Sequence, residues 1–90
     1  MSVFYTYILY SGKLDRFYVG STNDLDRRMA DHNRGKTPYA RKGMPWKLMY
    51  AETFETRELA YQRETEMKKK KSRIWIMNLI RKAGSEHPDR

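Results

Sequence analysis

The sequence predicts an α+β domain in which a small three-stranded antiparallel sheet is flanked by about three helices, in the order β-β-α-β-α-α. Three observations predict it. Two runs of β-branched and aromatic residues near the start are separated by a short polar turn, and a third such run follows past the middle of the chain. The segments after the second and third runs carry the cap residues and apolar spacing of helices. With 90 residues, 39% of them hydrophobic, one core is expected rather than two. The expected layout is a single domain over 1–84 and a flexible tail over 85–90.

"VFYTYILY", residues 3–10, reads as a buried strand, since such side chains pack well on a pleated surface. "SGKLDR" supplies turn chemistry before "FYVG", so the two runs form a hairpin with a longer loop. Ser21, Thr22, Asn23 and Asp24 offer oxygens for orphan helix donors, Leu25 and Met29 share a face, and Gly35 ends the helix. "KTPYARKGMPWK", with two prolines and a glycine, predicts an exposed loop. "KLMYAETF" is the third strand. Thr53 or Thr56 can cap the helix "RELAYQRETEMKKKK". Ser72 can cap a last helix, "RIWIMNLIRKA", whose buried face is Ile76, Leu79 and Ile80 and which Gly84 stops. "SEHPDR", with His87, is assigned to the tail and given no role.

Composition narrows the chemistry. The sequence has no cysteine, which excludes a disulfide framework and a thiolate metal site. No run approaches the roughly 20 apolar residues that cross a bilayer, so a soluble, cytoplasmic protein without a membrane partner is expected. A formal charge of +8 predicts an anionic partner, nucleic acid foremost.

Within that frame a few side chains stand out. Tyr7 and Tyr18 lie on strands joined by one turn, so two phenols can share a surface. Arg28 and His32 are four apart and hence neighbours on one helix face, on a helix that starts directly after Tyr18-Val19-Gly20. Glu64 shares a helical stripe with Ala60, Met67 and Lys71. A carboxylate there needs a partner, for which an arginine, a hydroxyl or a metal ion would serve. Lys68, Lys69, Lys70 and Lys71, followed by Arg73, form the strongest basic run; consecutive lysines circle a helix, so only some can meet phosphates. Arg41, Lys42 and Lys47, interleaved with Tyr39 and Trp46, offer a second basic surface with aromatic faces able to stack on unpaired bases.

These residues in this order resemble the GIY-YIG nucleases. Thr6-Tyr7-Ile8 stands at the place of the family's Gly-Ile-Tyr, with Tyr7 as the matching tyrosine and the motif's first glycine and isoleucine absent. Tyr18-Val19-Gly20 corresponds to the second motif, so Gly20 joins the candidate site. "NDLDRRMADH" is similar to the family helix in which an arginine precedes a histidine or tyrosine by four places, which selects Arg28 over Arg27. "AYQRETEMKKKKSR" is similar to the segment with the metal-binding glutamate, which selects Glu64 over Glu66. The family's later asparagine corresponds to Asn78, a possible accessory residue. The likeness runs from residue 3 to about 82 and is closest to small, stand-alone bacterial members.

The resemblance implies hydrolysis of a phosphodiester bond. By that similarity Tyr7 is the general base and Tyr18 its support, Arg28 clasps the phosphate, His32 orients a phenol or touches the phosphate, and Glu64 holds one Mg2+ or Mn2+ ion. A tyrosine base, with a reference pKa near 10, requires nearby positive charge to lower it, which Arg28 and the ion would supply. The implied substrate is DNA ahead of RNA, with a protein partner as one source of specificity. The alternative function is a nucleic-acid-binding module of the same fold with weak or no catalysis.

Overall fold

A computed structural model describes residues 3–70 and 72–85. Strand β1 (Phe4–Ser11) lies at the centre of the sheet, paired antiparallel with β2 (Arg16–Thr22) on one side and β3 (Trp46–Phe54) on the other. The β1–β2 turn closes with Asp15 at φ 54° and with the Leu14 amide donating to Ser11 Oγ at 3.0 Å. Tyr7 pairs with Gly20, Ile8 with Val19 and Leu9 with Tyr18. Because side chains alternate across a strand, this register separates Tyr7, Leu9 and Tyr18 from Ile8 and Val19.

Each face has its own core. On one, Tyr7, Leu9 and Trp46 are buried, with Tyr18, Leu25, Met29 and Met44 packed on them. On the other, Ile8, Val19 and Met67 are buried under Tyr50, Trp75, Ile76, Leu79 and Ile80.

Helix α1 (Leu25–Asn33) begins where Asp24 Oδ1 accepts from the Arg27 amide at 3.1 Å, and just beyond its end Gly35 turns the chain at φ 70°, a conformation that suits a residue without Cβ. The stretch expected to be a loop then forms a helix, α2 (Pro38–Gly43). Thr37 caps it by accepting from the Ala40 amide at 3.1 Å, and Pro38 sits in the first turn, where its missing N–H costs nothing.

Trp46, expected as an exposed stacking surface, is core instead, with only 2% of its surface exposed. Its indole N–H donates to the Ala40 carbonyl at 2.9 Å, so its large apolar area is buried without orphaning its polar atom. A Cβ at Gly43 would fall 2.4 Å from the indole, so α2 and Trp46 depend on each other. Asn33 grips the same residue from α1: its Nδ2 donates to the Trp46 carbonyl at 3.1 Å and its Oδ1 accepts from the Trp46 amide at 2.7 Å.

Helices α3 (Arg57–Lys70) and α4 (Arg73–Ser85) follow, with Thr56 Oγ1 and Ser72 Oγ accepting from the Leu59 and Trp75 amides at 3.2 and 3.1 Å. Buried Thr6 ties α3 to β1 by donating to the Ala60 carbonyl at 2.7 Å. Arg63 forks onto Glu52 of β3 at 3.0 and 2.9 Å. Ile76, Leu79 and Ile80 do face the sheet, as their spacing predicts, and α4 continues one residue past Gly84. Lys71, His87 and residues 86–90 lie outside the described residues.

Candidate active site

The site grows from the central strand. Tyr7 is fully buried along its length, and its phenol crosses over the residue paired with it, Gly20. A Cβ at Gly20 would lie 2.5 Å from Tyr7 Oη, so only glycine leaves the phenol room to extend toward the β2 edge. Tyr18 stands on the same face with its ring centroid 6.4 Å from that of Tyr7.

Helix α1 brings the next two groups. Arg28 Nη1 donates to Tyr7 Oη at 3.4 Å, a long bond of the kind that tightens when a site fills. His32, one turn on, is buried against Tyr18 with centroids 4.9 Å apart, and edge-on to Trp46 at 5.8 Å. Its Nδ1 lies 3.2 Å from the Arg28 carbonyl, which can only accept, so Nδ1 is the donor. His32 therefore wedges the Tyr18 ring in place.

Glu64 arrives from α3. Its Oε1 accepts from Ser21 Oγ at 2.7 Å and its Oε2 from Lys68 Nζ at 2.6 Å. Ser21 alternates with Gly20 along β2, so Glu64 comes from the Val19 side of the sheet, and its charge is the smallest of the influences on the Tyr7 phenol. Burial pushes Tyr7 up to about 12; Arg28 opposes the rise, and Tyr18 and Glu64 add to it. The expected lowering by positive charge is thus reversed in the protein alone, because Arg28 does not outweigh desolvation. Glu64, in turn, holds the Lys68 ammonium above its ordinary pKa.

Tyr7, Tyr18, Arg28 and His32 thus lie together, Gly20 makes the gap beside them, and Glu64 reaches in from the next layer. Arg27 stays exposed and Glu66 pairs with Arg63 at 3.0 Å, whereas Arg28 bonds Tyr7 and Glu64 bonds Ser21. Among the described residues no cluster of three acidic or histidine side chains forms a ready-made metal cage. Glu64 with the Ser21 hydroxyl is a hard oxygen set that suits a magnesium-like ion retaining most of its water.

Beside the phenols opens a cleft of about 430 Å3 lined by Tyr18, Arg28, His32, Lys36 and Tyr39. Tyr39 is 46% exposed, its ring 6.4 Å from Tyr18 and 5.7 Å from Trp46. Of the other residues assigned to nucleic-acid binding, Lys42 and Lys69 are exposed, and Arg41 donates to the Gly35 carbonyl at 3.2 Å. Arg73 is not drawn to the site: it bonds the Asp15 carboxylate at 2.5 Å and lies over Phe17, bracing the hairpin turn. Asn78 is likewise set apart, on the exposed side of α4, accepting from Arg81 at 3.0 Å, whereas α4 packs on the face opposite Tyr7. Sequence reasoning took Ser21 for a cap candidate and did not pair Lys68 with Glu64. The i,i+4 spacing could have found the second, but the first bridges 43 residues.

The model of the GIY-YIG catalytic domain matches residues 3–78, and the chain belongs to this family of nucleases. Within the class it is similar to UPF0213 proteins. That of Streptococcus pneumoniae serotype 4 (strain ATCC BAA-334 / TIGR4) is 45% identical over 56 residues, 61% of this chain and 57% of that protein. UPF0213 protein SpyM50708 of Streptococcus pyogenes serotype M5 (strain Manfredo) is 44% identical over 57 residues, 62% of each chain. The matched stretch therefore spans about three fifths of these curated relatives. The solution NMR structure of a UPF0213 protein from Bacillus halodurans superimposes with a TM-score of 0.58 at 34% identity, covering 93% of this chain and 88% of that one. Apart from the added short helix α2, the strand and helix order expected from the sequence is the observed one.

Proposed function

We propose that the protein is a metal-dependent nuclease that hydrolyses phosphodiester bonds in DNA, or in RNA as the second choice. The observation that carries this reading is the Arg28 fork bonded to the Tyr7 phenol at the wall of an open cleft, with the Glu64 carboxylate held by Ser21, the residue after Gly20.

Arg28 presents a planar guanidinium at the mouth of the cleft, suited to pairing with two phosphate oxygens. Engaging the phosphate orients the phosphorus over Tyr7. Tyr7 Oη, after losing its own proton to solvent, takes a proton from the attacking water as the new P–O bond forms, and the leaving oxygen departs with the bonding pair and is protonated by solvent. Tyr18, wedged by His32, walls the phenol and keeps the water in line. Glu64 and the Ser21 hydroxyl would hold one Mg2+ or Mn2+ ion, which supplies charge compensation for the phosphoryl and leaving oxygens when bound. Tyr39 offers a stacking platform for the base next to the scissile phosphate, and Lys42, Lys68 and Lys69 a salt-sensitive hold on the flanking backbone. A protein partner lending specificity suits so small a unit.

The neutral state of Tyr7 in the protein alone favours one second reading, a binding module of the same fold with little catalysis. Incubating the protein with single-stranded, duplex and branched DNA and with RNA, with and without magnesium or manganese, separates the two. The expected result is metal-dependent cleavage that falls by about 100- to 1,000-fold in Arg28→Ala and Glu64→Ala while nucleic-acid binding persists. Binding without cleavage under every condition supports the module. Undiminished cleavage in both variants removes these residues from the chemistry.

A further inference from the structure

We propose that Lys68 is a built-in counter-cation for Glu64, displaced when a divalent ion arrives and then free to meet a substrate phosphate. This rests on the assignment of Glu64 as the metal ligand.

Both Glu64 oxygens are engaged, by Ser21 Oγ at 2.7 Å and Lys68 Nζ at 2.6 Å, and its side chain is only 14% exposed. A carboxylate so enclosed is costly without compensation, and the ammonium one helical turn downstream provides it. The order is the favourable one, glutamate N-terminal to lysine at i,i+4. Lys68 itself is 55% exposed on a flexible four-carbon stem, so its head sits at the solvent boundary rather than locked in the core.

The two partners of Glu64 play different parts. Ser21 comes from β2, in the rigid sheet, and its hydroxyl fixes the carboxylate from Oε1. Lys68 covers Oε2, the oxygen left for a cation, and an ammonium and a divalent ion compete for it on unequal terms because the ion carries twice the charge. Lys68 and Tyr18 both border a hollow that Val19, Met67 and Arg73 also line, so the released ammonium stays beside the edge strand β2 from which Tyr18 projects. Metal and nucleic acid are then coupled through one side chain. The ion frees Lys68 for the phosphate, and a phosphate that draws Lys68 away uncovers Oε2 for the ion; by linkage, each strengthens the other equally.

Titration calorimetry of Mn2+ into the protein without substrate tests this in wild type, Lys68→Met and Glu64→Gln. Removing the competitor should tighten Mn2+ binding by about 1.5-fold to fivefold in Lys68→Met, the range expected for one partly exposed ion pair. Glu64→Gln should bind Mn2+ far more weakly than wild type. Unchanged or weaker Mn2+ binding in Lys68→Met, with Glu64→Gln still deficient, overturns the counter-cation and leaves the metal site standing. Wild-type affinity in Glu64→Gln instead overturns the metal site, and the counter-cation with it. A second readout needs no stable variant: the 15N resonance of the Lys68 ammonium should shift or vanish on saturation with Mg2+, and an unmoved resonance refutes displacement.

Discussion

The two faces of the sheet are built from alternate residues of the same strands, yet they are different materials. The face of Ile8, Val19 and Met67 is aliphatic and closed by two long helices, with its polar links, Thr6 to Ala60 and Arg63 to Glu52, serving to fasten α3. The face of Tyr7, Tyr18 and Trp46 is aromatic and covered by two short helices that leave a cleft. Its rings bury apolar edges while their polar tips stay available to Arg28 or Ala40. The difference teaches that the aliphatic face mainly holds the fold, Glu64 on α3 excepted, while the aromatic face leaves room for something else. An aromatic with a polar tip does both jobs, because it contributes large buried area and still presents a reactive atom.

Substitutions that strike one face at a time put this division under strain. The largest effect is expected from Met67→Ala on the holding face, which should lower unfolding stability by about 2–5 kcal/mol by urea titration and leave kcat unchanged where the variant is folded. A parallel loss of kcat would mean that the faces are not separable. Gly20→Ala should act in reverse. Its new Cβ meets Tyr7 Oη at 2.5 Å in a rigid setting, for a stability loss of about 1–3 kcal/mol and a fall in cleavage disproportionate to it. Activity at wild-type level in that variant would show that the phenol need not cross over position 20.

The smallest effect is alkaline. Tyr7 on one face and Tyr50 on the other are each pushed up to about 12, by burial first and, for Tyr50, also by its bond to Glu52. A folded pKa above the ordinary 10 means that the native state binds the proton more tightly. The stability so contributed is complete below pH 10 and lost as pH rises toward 12. Urea midpoints across that window should fall less steeply in Tyr7→Phe and in Tyr50→Phe than in wild type. A slope unaltered by either substitution would count against the burial of both phenols.

Much of this was legible in the sequence because its signals were local or periodic. The short turn between two strands put Tyr7 and Tyr18 within reach of one surface, the four-residue step put Arg28 beside His32, and the helical stripe of Ala60 and Met67 turned Glu64 inward. Asp24, Thr56 and Ser72 cap where short polar residues precede apolar spacing. What was misread depended on partners far along the chain. Residues 36–47 carry the punctuation of a loop, and α2 forms there because Trp46 folds back under Ala40 while Asn33 secures it from α1. Nothing adjacent to Arg73 announces that it braces Asp15, 58 residues away, and nothing near Asn78 says that α4 lies on the far face. The rise in the Tyr7 pKa was missed for another reason: charge is visible in a sequence, but the degree of desolvation is not.

The central position of β1 has one more outcome. Among the described residues Tyr7 is anchored in the one strand with neighbours on both flanks, so its backbone cannot loosen unless the whole architecture comes apart. Glu64 and Lys68 lie on α3, which Thr6 and Met67 fasten to that strand, so only their side-chain torsions can move against it. A change of state beside the phenol would therefore come from those side chains, with the phenol as the fixed anvil.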